Sequence, residues 1–303
     1  MEFLYLLQQW RTSFLYELML IITQFGEETA FLVTAIIVFW CVDKYKGYYI
    51  LSVGFLGTIA NQFMKLLFRI PRPWVLDPAF PVAEAAKEAA GGYSFPSGHT
   101  QNAVGTFGAI AYTTKKTWIR VAAIVIAVLV AFSRMYLGVH TPLDVGVAFG
   151  MAVILVLALK PVVLGNRKRI FSWLLGIMLV IAAAFLLYVM CYPFPADIDQ
   201  HNLYSGMKNA CTLAGALVGL VIVYIVDEKW LKFSTDGVWW VQVLKVSVGL
   251  LLVLAVKSGL KAPLEFVFGE FTGRAVRYCL VVLTAGIVWP LSFQWFAKLG
   301  NKE

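Results

Sequence analysis

Charge is scarce in this chain. Of its 303 residues 14% are charged and 60% are hydrophobic, against about a quarter charged and about half apolar in a soluble globular domain. Mean hydropathy is +0.79. So little charge excludes disorder and argues against a soluble enzyme. Strict apolar–polar alternation over strand-length segments is also lacking, which argues against an outer-membrane barrel. Cysteine is sparse: Cys41, Cys191, Cys211 and Cys279 lie in apolar runs or at their edges, with no close-spaced pair. Neither a disulfide framework nor a metal site is indicated. The first residues, Met1-Glu2-Phe3, lack a basic n-region, so the first span is expected to serve as the targeting signal.

What is present is a series of long apolar runs. A bilayer-crossing helix needs about 20 mostly apolar residues. Residues 3–24, 29–42, 48–67, 99–114, 118–132, 142–160, 171–191, 209–226, 238–256 and 276–297 are candidates; the first carries Arg11 and Glu17 and is the weakest. The expected fold class is an all-α, polytopic transmembrane helical bundle. The net charge of +8 would suggest nucleic acid in a soluble protein; here it reads as basic cytoplasmic loops, and no nucleic-acid partner is expected. Lys44 and Lys46, then Lys115, Lys116 and Arg120, then Arg167, Lys168 and Arg169, then Lys229 and Lys232, then Lys298 and Lys302 fall at alternate connections. These are placed inside. The opposite connections, 68–98, 133–141, 192–207 and 257–275, are placed outside, although Lys257, Lys261, Arg274 and Arg277 also sit there. The basic cluster at 166–169 divides a front half, 1–165, from a back half, 166–303.

The 68–98 connection is the longest. It holds Pro71, Pro73, Pro78, Pro81 and Pro96 and a helical stretch over 82–90, opened by Pro81 and closed by Gly91-Gly92. Loops of this length in compact proteins are usually functional or disordered.

Three polar clusters lie at span ends on the expected outer face: Lys65, Arg72 and Pro73; then Pro96, Ser97, Gly98 and His99; then Ser133, Arg134, His140 and Asp144. Ser97 and Gly98 open a helix, whose unpaired amides and partial positive charge suit an anion. Ser97 alone is equally well an ordinary N-cap. Thr141, Pro142 and Asp144 read as a helix start with a capping-box acid. Asp144 is also placed to accept from one nitrogen of His140, leaving the other to attack. Arg134 either complements a helix dipole or grips phosphate in a bidentate fashion. Lys65 and Arg72 alone would be interfacial snorkelling residues, but the flanking prolines fix the chain around Arg72. Two of only three histidines fall in these clusters. Two imidazoles, an acid and three cations at one face suit phosphoryl transfer through a phosphohistidine. No carboxylate or His-Cys set is available for a metal, and no cofactor is expected.

The ordered series K-x6-RP, PSGH, SR-x5-H-x3-D resembles the type 2 phosphatidic acid phosphatase superfamily, which also includes glucose-6-phosphatases, sphingosine-phosphate phosphatases, soluble acid phosphatases and vanadium haloperoxidases. All eleven motif residues are present between Lys65 and Asp144. The resemblance implies His140 as nucleophile, Asp144 as the group that orients it, and His99 as the acid that protonates the leaving oxygen. It implies Lys65, Arg72, Ser97, Gly98 and Arg134 as holders of the phosphate oxygens. Arg69 is outside the pattern. It further implies a six-helix phosphatase core with about four extra C-terminal helices, acting on a lipid phosphate or diphosphate, often at the extracytoplasmic leaflet. Trp74 and Tyr93 are interfacial aromatics of the long loop.

The back half carries no readable motif. Lys245 needs a partner or a route to the interface, and Glu265, Glu270, Arg274 and Arg277 are placed to pair. Packing and homo-oligomer contacts are the plain readings. The leading function is a metal-independent phosphatase for a membrane lipid: polyprenyl diphosphate, phosphatidic acid, phosphatidylglycerol phosphate or a sphingoid-base phosphate. The alternatives are a lipid-linked phosphotransferase, a sugar-phosphate phosphatase, and an anion or lipid transporter.

Overall fold

The computed structural model describes residues 1–88, 90–165 and 168–299. Ala89 of the expected 82–90 helix, Arg167 of the dividing cluster and Lys302 lie outside them. Among the described residues there is no strand, and the protein is an all-α, polytopic helical bundle. Its helices are α1 (Glu2–Gln9), α2 (Ser13–Gln24), α3 (Glu28–Cys41), α4 (Lys44–Phe68), α5 (Pro73–Leu76), α6 (Glu84–Glu88), α7 (Gly98–Thr113), α8 (Thr117–Tyr136), α9 (Pro142–Leu164), α10 (Lys168–Cys191), α11 (Gln200–Val226), α12 (Trp239–Gly259), α13 (Lys261–Phe268), α14 (Glu270–Leu283) and α15 (Phe293–Leu299).

Among the described residues seven helices are long and apolar enough to cross a membrane, or eight if the bent pair α2 and α3 is one span. That is fewer than the ten runs read from hydropathy, for two physical reasons. Residues 3–24 are interrupted at Trp10–Thr12, where the Thr12 hydroxyl caps α2 by accepting from the Leu15 amide at 3.3 Å. The helix then breaks again around Gly26, and α3 leaves at 51° to α2. The second reason is α7, which has 16 residues and is about 24 Å long, short of a bilayer core of about 30 Å.

The chain forms two compact units. The first comprises Met1–Thr34, Tyr49–Pro161 and Phe194–Gly206. Within it α7 and α8 form an antiparallel hairpin whose contact face is rich in alanine: Ala103, Val104, Phe107 and Ala111 meet Ala123, Ala127 and Val130. The four alanines let the backbones approach closely around the one large side chain, Phe107. On another face of α7 the partner is α4, and the two match at four-residue steps. Val53 meets Gly105 and Gly57 meets Gln101, Asn61 Nδ2 donates to the Pro96 carbonyl at 3.2 Å, and Lys65 Nζ donates to the Tyr93 carbonyl. This spacing places one edge of α4 beneath the 93–99 segment. At the far end of the hairpin α8 stops at Gly138, whose φ is +77. A Cβ there would be strained and would lie 2.6 Å from the Phe80 ring and 2.7 Å from Arg11 Nη2. Arg11 itself ties this corner down, with Nε donating to the Tyr136 carbonyl at 2.8 Å.

The second unit comprises Ala35–Tyr48, Val162–Pro193 and Met207–Glu303. Gly215 and Gly219 of α11 lie against the backbone of Ala275 and Cys279 in α14, with Val282 alongside, a small-xxx-small contact of membrane helices. Several of its charged side chains have partners. Lys44 bridges to Asp227 at 2.9 Å, Lys168 to Glu228 at 2.5 Å, and Arg277 to Glu265 at 3.7 Å. Lys245 donates from Nζ to the Asp236 carbonyl at 2.7 Å and sits 4.7 Å from the Phe293 ring centroid.

Candidate active site

The eight residues expected to form the site all belong to the first unit. Arg72 is the most completely bonded of them. It is buried, and its Nε and Nη2 donate to the carbonyls of Gly92 (3.0 Å) and Gly91 (2.7 Å). Its Nη1 donates to the Val139 carbonyl at 3.0 Å and meets His140 Nε2 at 2.9 Å. The Gly91-Gly92 pair, read from sequence only as a helix stop, is therefore the carbonyl cradle that aims this guanidinium. Gly92 has φ +73, a conformation natural to glycine. The Trp74 ring backs Arg72 at 5.7 Å.

The Ser97-Gly98-His99 segment begins α7 as expected. The Ser97 hydroxyl accepts from the Thr100 amide at 3.4 Å and from the Thr100 hydroxyl at 3.0 Å. The N-cap reading is thus realised, and the Ser97 hydroxyl proton stays available to a ligand. A Cβ on Gly98 would have only Asn61 Oδ1, at 3.8 Å, for a neighbour, so the backbone there is open to close approach. His99 rests on the α2–α3 break: a Cβ on Gly26 would lie 2.9 Å from both the Cβ and the carbonyl oxygen of His99.

At the end of α8 the Arg134 carbonyl accepts from the amides of Val139 (3.1 Å) and His140 (3.3 Å), which folds the 137–141 turn back on the helix. Asp144 caps the helix start and stands beside His140. Its Oδ2 accepts from the Thr141 amide at 2.7 Å while the Thr141 hydroxyl accepts from the Asp144 amide at 3.3 Å, a reciprocal cap. The same Oδ2 stands 3.5 Å from His140 Nδ1. Ser94 joins this pair, donating to Asp144 Oδ2 at 2.6 Å and lying 3.5 Å from His140 Nδ1.

The guanidinium of Arg134 differs from that of Arg72. It is 1% exposed. Its Nη1 donates to the Thr23 hydroxyl, but among the described residues Nε and Nη2 have no hydrogen-bond partner. Leaving a buried donor unpaired costs about 1–3 kcal/mol, more when it is charged. The Nε–Nη2 edge is the side of the fork that takes a carboxylate or phosphate in two parallel bonds. The arrangement thus offers one anchored cation, one cation with a vacant bidentate edge, and Lys65. The charges of all three reach both imidazoles, Arg134 acting most strongly on His99 and Arg72 on His140. His140 lies in the turn between α8 and α9. Burial first, then the charges of Arg72, Lys65 and Arg134, hold it well below the ordinary imidazole range. Among the described residues no group of three or more His, Cys, Asp or Glu is placed to hold a metal ion.

Sequence reasoning missed Thr23, Gly26, Asn61, Gly91, Gly92 and Ser94. For Ser94 and Asn61 the signal was there: one is three residues before Ser97, the other one turn before Lys65 on the same face of α4. Thr23 and Gly26 carry no such signal, because their contacts are made across 111 and 73 positions of chain.

Residues 45–169 match the PAP2 superfamily, and residues 211–302 match the PAP2 superfamily phosphatase, transmembrane extension. Phosphatidylglycerophosphatase B of Bacillus subtilis is 32% identical over 163 residues, covering 50% of this chain and 76% of that protein. Undecaprenyl-diphosphatase of Sulfolobus acidocaldarius is 28% identical over 130 residues, 42% of this chain and 61% of the relative. Undecaprenyl-diphosphatase BcrC of Bacillus subtilis is 30% identical over 103 residues, 34% of this chain and 50% of the relative. The chain thus spans less than two thirds of the length of two of these relatives. No solved structure gives a significant match.

Proposed function

This chain is a multi-pass membrane protein that belongs to the PAP2 superfamily, and from that premise we propose that it hydrolyses a lipid phosphate or diphosphate through a phosphohistidine formed on His140. The observation that carries the proposal is the pairing of His140 Nε2 with Arg72 Nη1 at 2.9 Å. A guanidinium has only donors, so Nε2 holds the lone pair and Nδ1 the proton. Asp144 and Ser94 on the Nδ1 side keep that tautomer. A neutral imidazole with a fixed lone pair is a nucleophile ready at neutral pH.

In the first step Arg72 Nη1 shifts its N–H from Nε2 to a phosphate oxygen, the freed Nε2 lone pair attacks phosphorus, and the bond from phosphorus to the leaving oxygen breaks. His99, in its protonated form, gives its proton to that oxygen. The growing positive charge on the His140 ring is met by Asp144. The equatorial oxygens are held by the vacant edge of Arg134, by Lys65 and Arg72, by the Ser97 hydroxyl and by the amides at the start of α7. In the second step neutral His99 takes a proton from water, the water oxygen bonds to phosphorus, and the phosphorus–nitrogen bond breaks. Free phosphate leaves and the Nε2 lone pair returns. Charge is stabilised by side chains throughout, so activity is expected to persist in EDTA.

The substrate is a membrane lipid bearing a terminal phosphate, entering with its tail in the bilayer at the outer face, where charge placement puts the site. Names of the relatives support both a monophosphate and a diphosphate, undecaprenyl diphosphate and phosphatidylglycerophosphate. Residues 1–165 form the catalytic part in this proposal, and 166–303 the added membrane helices. The test is phosphate release by purified protein from polyprenyl diphosphate, phosphatidylglycerol phosphate, phosphatidic acid, a sphingoid-base phosphate and glucose 6-phosphate, with and without EDTA, for the native chain and His140→Ala. The proposal expects EDTA-resistant release from at least one lipid, lost in the variant. Release only from glucose 6-phosphate, an absolute need for a divalent ion, or equal release by His140→Ala overturns it.

A further inference from the structure

The PAP2 match begins at residue 45, yet the site is also bounded by a segment well before that point. Between α2 and α3 the chain breaks and turns by 51°. A break in a membrane helix exposes backbone groups that lipid cannot satisfy, so it is tolerated where it is buried in protein or lines a polar cavity. Here Thr23 and Gly26 of the break are buried against α7 and α8. Thr23, 4% exposed, accepts from Arg134 Nη1. Gly26 packs on the backbone and Cβ of His99. The Gly26 carbonyl accepts from Asn102 Nδ2 at 3.2 Å, one turn along α7 from His99. Glu27, just beyond, is the carboxylate whose field acts on Arg134.

Each contact is a specific geometric choice. The hydroxyl of Thr23 could meet either face of the guanidinium fork, and it meets Nη1. That leaves Nε and Nη2, the two parallel donors, buried and unpartnered among the described residues. Were Nη2 the one captured, the bidentate edge would be spent. We propose that the α2–α3 break is part of the active site and that Thr23 in it is a positioning residue, holding Arg134 by Nη1 so that its Nε–Nη2 edge is presented to the substrate phosphate. This rests on the phosphatase reading above and adds to it a residue outside the matched family region. Thr23 touches neither substrate nor reacting atoms; it acts through Arg134.

The test uses orthovanadate, a trigonal-bipyramidal phosphate mimic, with the purified full chain in lipid nanodiscs. Its affinity is measured by calorimetry for the native chain, Thr23→Val, Thr23→Ser, Arg134→Gln and the double variant Thr23→Val/Arg134→Gln. Val keeps the shape and removes the hydroxyl, and Ser restores it. Thr23→Val is expected to weaken binding about 10- to 100-fold, the loss attached to one hydrogen bond to a charged donor, while Thr23→Ser stays within about 3-fold of the native chain. The double variant is expected to bind no worse than Arg134→Gln alone, because both changes remove the same interaction. Thr23→Val binding like the native chain, or losses that add in full, overturns the proposal. If Thr23→Val loses its cooperative melting transition, Thr23→Ala against Thr23→Ser gives the same comparison, and equal affinities there overturn it. Native protein that releases no phosphate from the lipid panel defeats the phosphatase reading itself, a result distinct from an active enzyme indifferent to Thr23.

Discussion

Arg72 Nη1 and His140 Nε2 are 2.9 Å apart, and because a guanidinium only donates, Nε2 is the ring nitrogen that carries the lone pair. Because Arg72 is itself fixed by three backbone carbonyls, those of Gly91, Gly92 and Val139, the ring is held between a rigid donor on one side and the Asp144–Ser94 pair on the other.

The first prediction concerns pH. Burial and the neighbouring cations lower His140 below the ordinary imidazole value of about 6.5. The folded protein therefore binds fewer protons on this ring than the unfolded chain does at acid pH. Above about pH 6.5 the ring takes nothing from stability; as pH falls from there toward the folded-state value it subtracts progressively. The acid limb of kcat/KM assigned to the nucleophile is expected below about pH 6.5, and Arg72→Gln, by removing a cation, is expected to move it upward. A pH–rate profile in both proteins checks this; a native limb at or above the ordinary value contradicts it.

Asp144 has two jobs, and they separate by readout. As a reciprocal cap its replacement by Asn costs little stability, because the amide oxygen still accepts, whereas replacement by Ala costs about 1 kcal/mol. As the acceptor for the Nδ1 side its replacement slows turnover by orders of magnitude, as loss of the correct tautomer does in triad enzymes. Ser94→Ala leaves the carboxylate but removes its 2.6 Å donor; kcat is expected to fall about 10-fold, in line with one charge-assisted bond, with KM little changed. Steady-state kinetics alongside thermal unfolding tells the roles apart.

Gly26→Ala should be costly out of proportion to one methyl group. The new Cβ would lie 2.7 Å from Val130 Cγ1 and 2.9 Å from His99. Overpacking of this kind costs about 1–3 kcal/mol, and the displaced His99 should lower kcat as well. Gly176→Ala in α10 is the control: a Cβ there meets nothing within 4 Å, and stability is expected to hold or rise slightly. Melting temperature and turnover of the two variants provide the comparison.

Much of the site could be read before the fold because each of its groups is a polar residue or glycine at a helix end within an apolar background. Lys65, Arg72, Ser97, His99, Arg134, His140 and Asp144 stand out for that reason. What local pattern could not carry was partnership. That Thr23 would meet Arg134 depends on how α2 lies against α8, and nothing in residues 3–24 announces a break that serves a site. Span counting failed at the same place: a hydropathy window sees apolar content on both sides of Gly26 but not the bend between α2 and α3. It also credits α7 with a crossing, although buried Gln101, Asn102 and Thr106 mark α7 as a short helix enclosed by others.

The central claim is a covalent bond between phosphorus and His140, and the most direct measurement is to trap it. Rapid acid-free quenching of the protein with a lipid substrate labelled with radioactive phosphorus, followed by peptide mapping, should give an acid-labile, alkali-stable label on His140 that is lost in His140→Ala. Turnover with no label, or a label that persists in His140→Ala, would contradict the account.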